Sequence, residues 1–177
     1  MKVLNTIKKV FGYILAAVFY AYVIALTLLL LNYNEYGVTE INGTSLIIIR
    51  EEISTDKYEK GDLVFVESKR INKLKEGDEV FVYKIDGEGL AYIEYGKIGQ
   101  IYEQDDAVSF ENGETYSSEF IIGIGNKKYS DVGLVLSFLT SKWGFLFTVL
   151  LPSFIFFVYQ VYVLVIEIKY GEDEEEK

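Results

Sequence analysis

Two long runs of uncharged, apolar residues constrain this chain more than any other feature of its sequence. Val10 to Leu31 and Trp143 to Ile166 contain no Asp, Glu, Lys or Arg. As a helix, each run is long enough to cross a hydrocarbon layer roughly 30 Å thick. Core helices of soluble proteins are seldom apolar on every face over such a length. The sequence therefore predicts transmembrane helices over residues 10–32 and 142–167.

A cleaved signal peptide is the alternative interpretation of the first run. The apolar region of such a peptide normally spans only about 7–15 residues and ends at a small-x-small cleavage site. Here the apolar run is longer, and residues 31–37 (LNYNEYG) follow it. A retained membrane anchor is therefore the prediction.

The charges beside the first run predict how the chain crosses the membrane. Lys2, Lys8 and Lys9 precede it, and basic flanks favour the cytoplasmic side. Residues 1–9 are then cytoplasmic, and the second span returns the acidic tail, 168–177, to the same side. The expected location is the cell membrane, with both termini cytoplasmic and residues 33–141 outside.

The composition excludes several classes of function. The chain has no Cys and no His, which excludes disulfides, zinc sites built on those residues and catalysis with an imidazole base. Its formal net charge is −10, whereas nucleic-acid binding needs a basic surface. No motif for a cofactor or a metal ion is present, so neither is predicted, and a nucleic-acid partner is not expected.

Short β-strands separated by turns are predicted throughout the segment between the spans. Alternating or β-branched runs with turn residues at their ends are typical of strands. Asp86 to Gly89 is a predicted hairpin turn, and Asn112-Gly113 suits a type I′ turn. The predicted fold is a mainly β domain with a twisted antiparallel sheet, flanked by two transmembrane α-helices. The predicted strands are 45–50, 62–68, 79–85, 90–95, 107–110, 115–118 and 119–125.

A local duplication stands out within this segment. Lys60-Gly61-Asp62 precedes one predicted strand, and Glu76-Gly77-Asp78 precedes the next. Glycine accepts a positive φ, and an aspartate side chain can accept hydrogen bonds from backbone amides just ahead of it in the chain. Each copy is predicted to be a turn that leads into a strand.

In this setting the doublet resembles the signal peptidase I family, in the branch with a second span after the catalytic domain. The order of further matches, from 119–123 through 131–139 and 142–145 to Leu151-Pro152, is also similar to that family. The resemblance covers most of the chain. It implies a β-rich peptidase domain on the outer membrane surface. It also implies a serine nucleophile, activated by Lys or His, that cleaves preproteins after their signal peptides.

The resemblance assigns Ser45 as the candidate nucleophile. Leu46 stands where the family usually has Met, and no Pro follows in place. The interval to Gly61 is also longer than usual, so segment 50–60 is interpreted as an insertion or as an entirely different loop. Ser54, nearer to Gly61, is a second candidate nucleophile.

The candidate base and acid depart further from the family pattern. Tyr92 or Glu94 occupies the position of the Lys or His. Lys97 is the candidate base, although an odd shift along a strand turns its side chain to the other face; Lys84 is the alternative. A lysine base needs desolvation to lower its pKa from about 10.4. Asp106 is the candidate orienting acid.

Three functions remain open from the sequence. The first is a signal peptidase-like membrane protein without the standard dyad, which binds preproteins or assists an active peptidase; an extended peptide could add as a strand beside residues 45–50. The second is an active serine endopeptidase that uses Ser45 with a non-standard lysine. The third is a membrane-anchored structural or assembly domain. The expected partners are the lipid bilayer and either signal peptides or a partner peptidase.

Overall fold

The computed structural model describes residues 2–36, 38–50, 53, 55–87 and 89–175. The chain forms two compact units, Met1–Ser137 and Phe138–Lys177. The first unit contains helix α1 (Lys2–Leu31), the whole β-sheet and the start of helix α2 (Val132–Thr140). The second unit contains helices α3 (Lys142–Phe145) and α4 (Leu151–Glu175).

Two helical stretches, Val10–Leu31 and Lys142–Ile166, are long and apolar enough to cross a membrane. Only 6% of the residues in the most apolar window of each are buried within the structure. Such exposure of hydrocarbon is typical of helices that lipid surrounds, whereas soluble helices bury one apolar stripe. The sequence prediction of two apolar helices that could span a membrane is confirmed.

A π-helical turn, Leu146–Leu150, joins α3 to α4 just before Pro152. Proline has no N–H, so Pro152 leaves the carbonyl of residue 148 without its usual helical donor. A local change in helical hydrogen bonding next to proline is the expected response. Two nearby hydroxyls bond backwards to backbone carbonyls, Thr148 Oγ1 to Gly144 at 2.7 Å and Ser153 Oγ to Val149 at 2.7 Å.

The first unit contains an eight-stranded sheet that curves into a half-barrel. Its spatial order is β1-β2-β3-β8-β4-β5-β6-β7, and every paired neighbour is antiparallel. The predicted antiparallel sheet is confirmed; β1 was missed because three residues carry no periodicity. The strands are β1 Thr39–Ile41, β2 Thr44–Ile48, β3 Leu63–Glu67, β4 Glu79–Ile85, β5 Ala91–Tyr102, β6 Ala107–Phe110, β7 Thr115–Ser117 and β8 Ile121–Tyr129.

Strand β8 joins the two halves of this sheet. Its first residues pair with β4, where Phe81 faces Gly123, and the remainder pairs with β3, from Ile124 to Tyr129. A β-carbon on Gly123 would lie 2.0 Å from the carbonyl oxygen of Glu67. The backbones therefore approach closely where β8 changes partners, and only glycine fits there.

Strand β4 is buried on both faces, because it separates two apolar clusters. Phe81 and Tyr83 belong to one cluster, and Val80 and Val82 belong to the other. Successive strand residues point to opposite faces, so the alternation at 79–85 supplies both cores. The first cluster also contains Ile47, Tyr58, Val64 and Val66, and the second also contains Ile98, Val108, Phe110 and Tyr116.

The two Asn-Gly pairs of the chain form different turns, and only Asn112-Gly113 was predicted to be of type I′. A type I′ turn needs positive φ at both central residues, and Asn42-Gly43 meets this with φ of 51° and 75°. At the predicted site, Gly113 has φ 90°, but Asn112 does not have a positive φ. Gly113 N donates to Phe110 O at 2.9 Å, which closes a type I turn with a glycine bulge. The type I′ prediction for Asn112-Gly113 is therefore wrong.

The Gly-Asp duplication has the same backbone geometry in both copies. Gly61 and Gly77 have φ of 95° and 89°. Asp62 Oδ2 accepts from Glu59 N at 3.0 Å, and Asp78 Oδ2 accepts from Lys75 N at 3.0 Å. Each glycine N–H also donates to a backbone carbonyl of a distant segment, Gly61 to Ile49 O and Gly77 to Ile98 O. The predicted turns are confirmed, but each aspartate accepts from an amide three residues before it and not from one ahead of it.

Candidate functional site

Ser45 lies on β2 and lines a depression of about 310 Å³. In the sheet it stands between Glu40 of β1 and Val66 of β3, and the residue is 3% exposed. Strand β1 also pairs with Thr44 and Leu46, so it covers the strand edge at Ser45. The full lining is Asn34, Glu35, Tyr36, Glu40, Ser45, Ser68, Tyr83, Glu119, Ile121 and Ile122.

The loop that follows α1 shapes one wall of this depression. Asn34 Oδ1 accepts from the amides of Tyr36 and Val38, both at 3.0 Å, which folds the loop back on itself. Asn34 Nδ2 donates to the hydroxyl of Tyr83 at 2.7 Å. Tyr36 then stacks on Tyr83 with ring centroids 4.1 Å apart. The end of the first apolar helix is thereby tied to β4 beside Ser45.

The side chains of Ser45 and Tyr83 line the same depression. Burial raises the pKa of Tyr83, and nearby Glu40 adds to the shift, although the neighbouring side chains of Asn34 and Ser45 oppose it. Desolvation, followed by the charge of Glu35, also raises the pKa of Tyr36. Both phenols therefore stay protonated at neutral pH and cannot take a proton from serine.

Among the described residues that line the depression, there is no lysine or arginine. A serine hydroxyl is a weak nucleophile until an adjacent base removes its proton. The lining instead carries the carboxylates of Glu35, Glu40 and Glu119. An acidic lining of this kind repels a carboxylate and attracts a cation.

Lys97, the candidate base, lies on the exposed side of β5. Its Nζ atom is 2.7 Å from Glu111 Oε1, and this contact raises the pKa of the lysine. A raised pKa favours the ammonium form, the opposite of what a general base needs. In the sheet order, β3, β8 and β4 separate Lys97 from Ser45. Lys97 does not line the depression.

Lys84, the alternative base, is held by two carboxylates. Its Nζ atom is 2.6 Å from Glu114 Oε1 and 2.8 Å from Glu94 Oε2. These contacts, that of Glu114 first, strongly raise the pKa of Lys84. The hydroxyl of Tyr116 donates to the same two carboxylates. The cluster fastens β4, β5 and β7 together, and its amine stays charged.

Asp106, the candidate orienting acid, ends the turn between β5 and β6. Its Oδ2 accepts from the hydroxyl of Ser118, and its backbone oxygen accepts from Ser118 N at 2.8 Å. Asp106 does not line the depression, and Tyr92 is an exposed strand residue. Ser54 lies outside the described residues.

Sequence reasoning missed the three residues that surround Ser45: Asn34, Tyr36 and Tyr83. The turn at Asn34 could have been predicted from the sequence, because Asn side chains often accept hydrogen bonds from backbone amides just beyond them in loops. Its contact with Tyr83 joins residues 49 positions apart, so no local sequence pattern could predict it. In the part of the chain that the structure describes, no group of three His, Cys, Asp or Glu residues could hold a metal ion.

No protein-family model matches this chain, and no curated protein sequence matches it.

Proposed function

We propose that this protein is a membrane-anchored, signal peptidase I-like protein that engages preproteins but does not cleave them with Ser45. One observation carries the proposal: Ser45 lies beside Tyr83 in a depression whose described lining has no lysine or arginine. Without a base, the hydroxyl lacks the activation that peptide cleavage requires. Lys84 and Lys97 are both engaged by carboxylates.

The depression is where a preprotein segment binds in this proposal. Asn34, Glu35 and Tyr36 belong to the loop that directly follows α1, and they form its wall. An extended chain that leaves the bilayer beside α1 therefore meets the depression first. Because β1 covers the edge of β2 at Ser45, recognition there uses side chains in the depression and no added strand.

The same proposal sets the β-sheet outside the cell membrane and both termini in the cytoplasm. The chain has no cysteine, so a single introduced cysteine reports its own location. Asp105→Cys, in the exposed turn between β5 and β6, should react with a membrane-impermeant maleimide on intact cells. Lys2→Cys should react only after the cells are permeabilised. The reverse pattern would contradict this orientation.

The first test of the proposed function measures cleavage and binding of a signal-peptide-bearing substrate by the protein in membranes. We expect binding without cleavage in the wild type and in Ser45→Ala and Lys97→Ala. Ser109→Ala, a half-buried serine on β6 outside the depression, is the matched control. Cleavage that Ser45→Ala abolishes and Ser109→Ala retains would overturn the proposal in favour of an active serine peptidase.

A second pair of variants tests whether the depression is the binding site. Ser68 is exposed on the rim of the depression, so Ser68→Trp should fill it and weaken substrate binding. Asp105→Trp adds the same ring in a distant turn and should bind normally. Absence of both cleavage and binding in the wild type would favour a structural or assembly role.

A further inference from the structure

Helix α2, Val132–Thr140, exposes an apolar surface. No charged residue occurs from 132 to 141. Val132, Leu134 and Val135 are 44%, 52% and 60% exposed, respectively. Val132 and Val135 are three positions apart and therefore neighbours on one helical face. This face presents hydrocarbon to its surroundings without an intervening charge.

The other side of the helix start is fixed to the sheet of the first unit. Gly133 is buried, and a β-carbon there would lie 2.7 Å from the backbone oxygen of Gly61. A β-carbon on Gly61 would in turn lie 2.8 Å from Leu134 Cγ. This close approach fixes which face of α2 points away from the sheet. The exposed apolar face is therefore a consequence of the packing at Gly133.

We propose that the exposed face of α2 binds the interfacial layer of a lipid bilayer. Helices that lie in this layer bury apolar side chains at the boundary between headgroups and acyl chains. The opposite face of such a helix is usually charged and faces water. In α2 the opposite face, at Gly133, packs against the sheet of the first unit instead. The proposal is independent of whether the protein binds or cleaves preproteins.

Chain continuity with a candidate span identifies lipid as the occupant. Only Ser141 separates α2 from the stretch Lys142–Ile166, which is apolar enough to cross a membrane. Trp143, at the start of that stretch, is 65% exposed, and tryptophan concentrates at the membrane–water interface. A helix so close in sequence to a membrane entry point has little length in which to leave the bilayer surface.

A second copy of the chain is a poorer occupant for this face. A stable protein interface buries about 800 Å² on each partner. The four exposed large apolar side chains of this nine-residue helix, Val132, Leu134, Val135 and Phe138, do not provide such an area. A bilayer needs no complementary shape and takes up apolar side chains singly.

The experiment uses the full chain, reconstituted in phosphatidylcholine–phosphatidylglycerol vesicles, with one cysteine carrying an environment-sensitive fluorophore. The test positions are Val132→Cys and Val135→Cys; both side chains are exposed, so their replacement leaves the fold intact. Phe154→Cys, in the second candidate span, is the control for deep burial in lipid. Asp105→Cys, in the β5–β6 turn, is the control for exposure to water.

We expect the probes at Val132 and Val135 to emit at shorter wavelength than the probe at Asp105. Lipid nitroxides near the headgroup should quench them more strongly than nitroxides near the acyl-chain end, with the opposite order at Phe154. Strong quenching by aqueous iodide, as at Asp105, would overturn the proposal. Shielding from both lipid nitroxide and iodide would also overturn it, because a second copy or another protein would then cover the face.

Discussion

At the residue scale, the two Gly-Asp turns are equal in backbone geometry but unequal in surroundings. Asp62 is 2% exposed, and its carboxylate lies 3.3 Å from Lys128 Nζ as well as beside the Glu59 amide. Asp78 accepts the equivalent amide bond from Lys75 in a half-exposed turn. The same local motif is therefore buried and paired with a distant lysine in one copy, and half-exposed in the other.

We expect Asp62→Ala to destabilise the fold more than Asp78→Ala. The first change leaves the part-buried Glu59 amide without its acceptor and removes the carboxylate from the Lys128 ammonium, which keeps only its bond to Lys57 O; the expected cost is about 1–3 kcal/mol. The second removes one bond in contact with water and costs about 1 kcal/mol or less. Chemical denaturation of the purified protein in detergent, followed by circular dichroism, measures both values. Equal losses would show that burial at Asp62 contributes nothing.

The stabilising effect of Asp62 should depend on pH. Burial alone would raise the pKa of this carboxyl, but the Glu59 amide and the Lys128 ammonium outweigh it and lower the pKa. The folded state then binds the proton less readily than the unfolded chain, whose pKa is about 3.9. The contribution is present above about pH 4 and is lost as the pH falls through the folded-state pKa. The stability gap between wild type and Asp62→Ala should therefore narrow in acid, and a constant gap would contradict this assignment.

At the element scale, β8 is the strand on which the half-barrel depends. It pairs first with β4 and then with β3, and Gly123 marks the change of partner. β8 carries one extra residue opposite Phe65/Val66 and another opposite Phe81/Val82, so both bulges lie on β8 itself. A bulge increases local twist, so these irregularities let the sheet curve at β8.

We expect Gly123→Ala to destabilise the first unit by about 1–3 kcal/mol or more, because the new β-carbon would overlap the Glu67 carbonyl. Gly87→Ala is the matched control: a β-carbon at Gly87 meets no atom within 4 Å, so its effect should be small. Thermal unfolding followed by circular dichroism compares the two. Similar melting temperatures would mean that β8 can move aside without cost.

At the scale of the whole molecule, two separate apolar helices are each long and apolar enough to cross a membrane. Val10–Leu31 and Lys142–Ile166 have mean hydropathies of 2.6 and 2.3 in their most apolar windows. They belong to different compact units. Either helix alone is long enough to anchor the chain, so the loss of one should leave the protein in the membrane.

We expect Phe154→Arg to remain in the membrane fraction after alkaline carbonate extraction, because Val10–Leu31 is intact. An arginine at the centre of a span costs about 2.5–3.5 kcal/mol. The double variant Val18→Arg/Phe154→Arg carries this cost in both helices and should be extracted more readily. Asp105→Arg, outside both, is the control. Release of Phe154→Arg alone would contradict an independent anchor in α1.

The sequence by itself determined the elements whose cause is local. An uncharged apolar run of about 20 residues leaves water only by entering lipid or a large protein core, and in lipid it must form a helix to pair its backbone groups. Both long helices were therefore predictable. The alternation at 79–85 reported β4 because side chains of a strand alternate between faces. The repeated Gly-Asp pair predicted two turns, because the hydrogen bonds of each turn join residues only three positions apart.

Only the tertiary structure decided what surrounds Ser45. Its neighbour Tyr83 comes from a strand that the sheet order separates from β2 by β3 and β8. Local patterns carry no information about which distant strands become neighbours. For the same reason, the sequence could not foresee that Lys84 and Lys97 bind carboxylates away from the depression. It also could not foresee that Asn42-Gly43, rather than Asn112-Gly113, forms the type I′ turn, because pairing between the flanking strands sets the loop length.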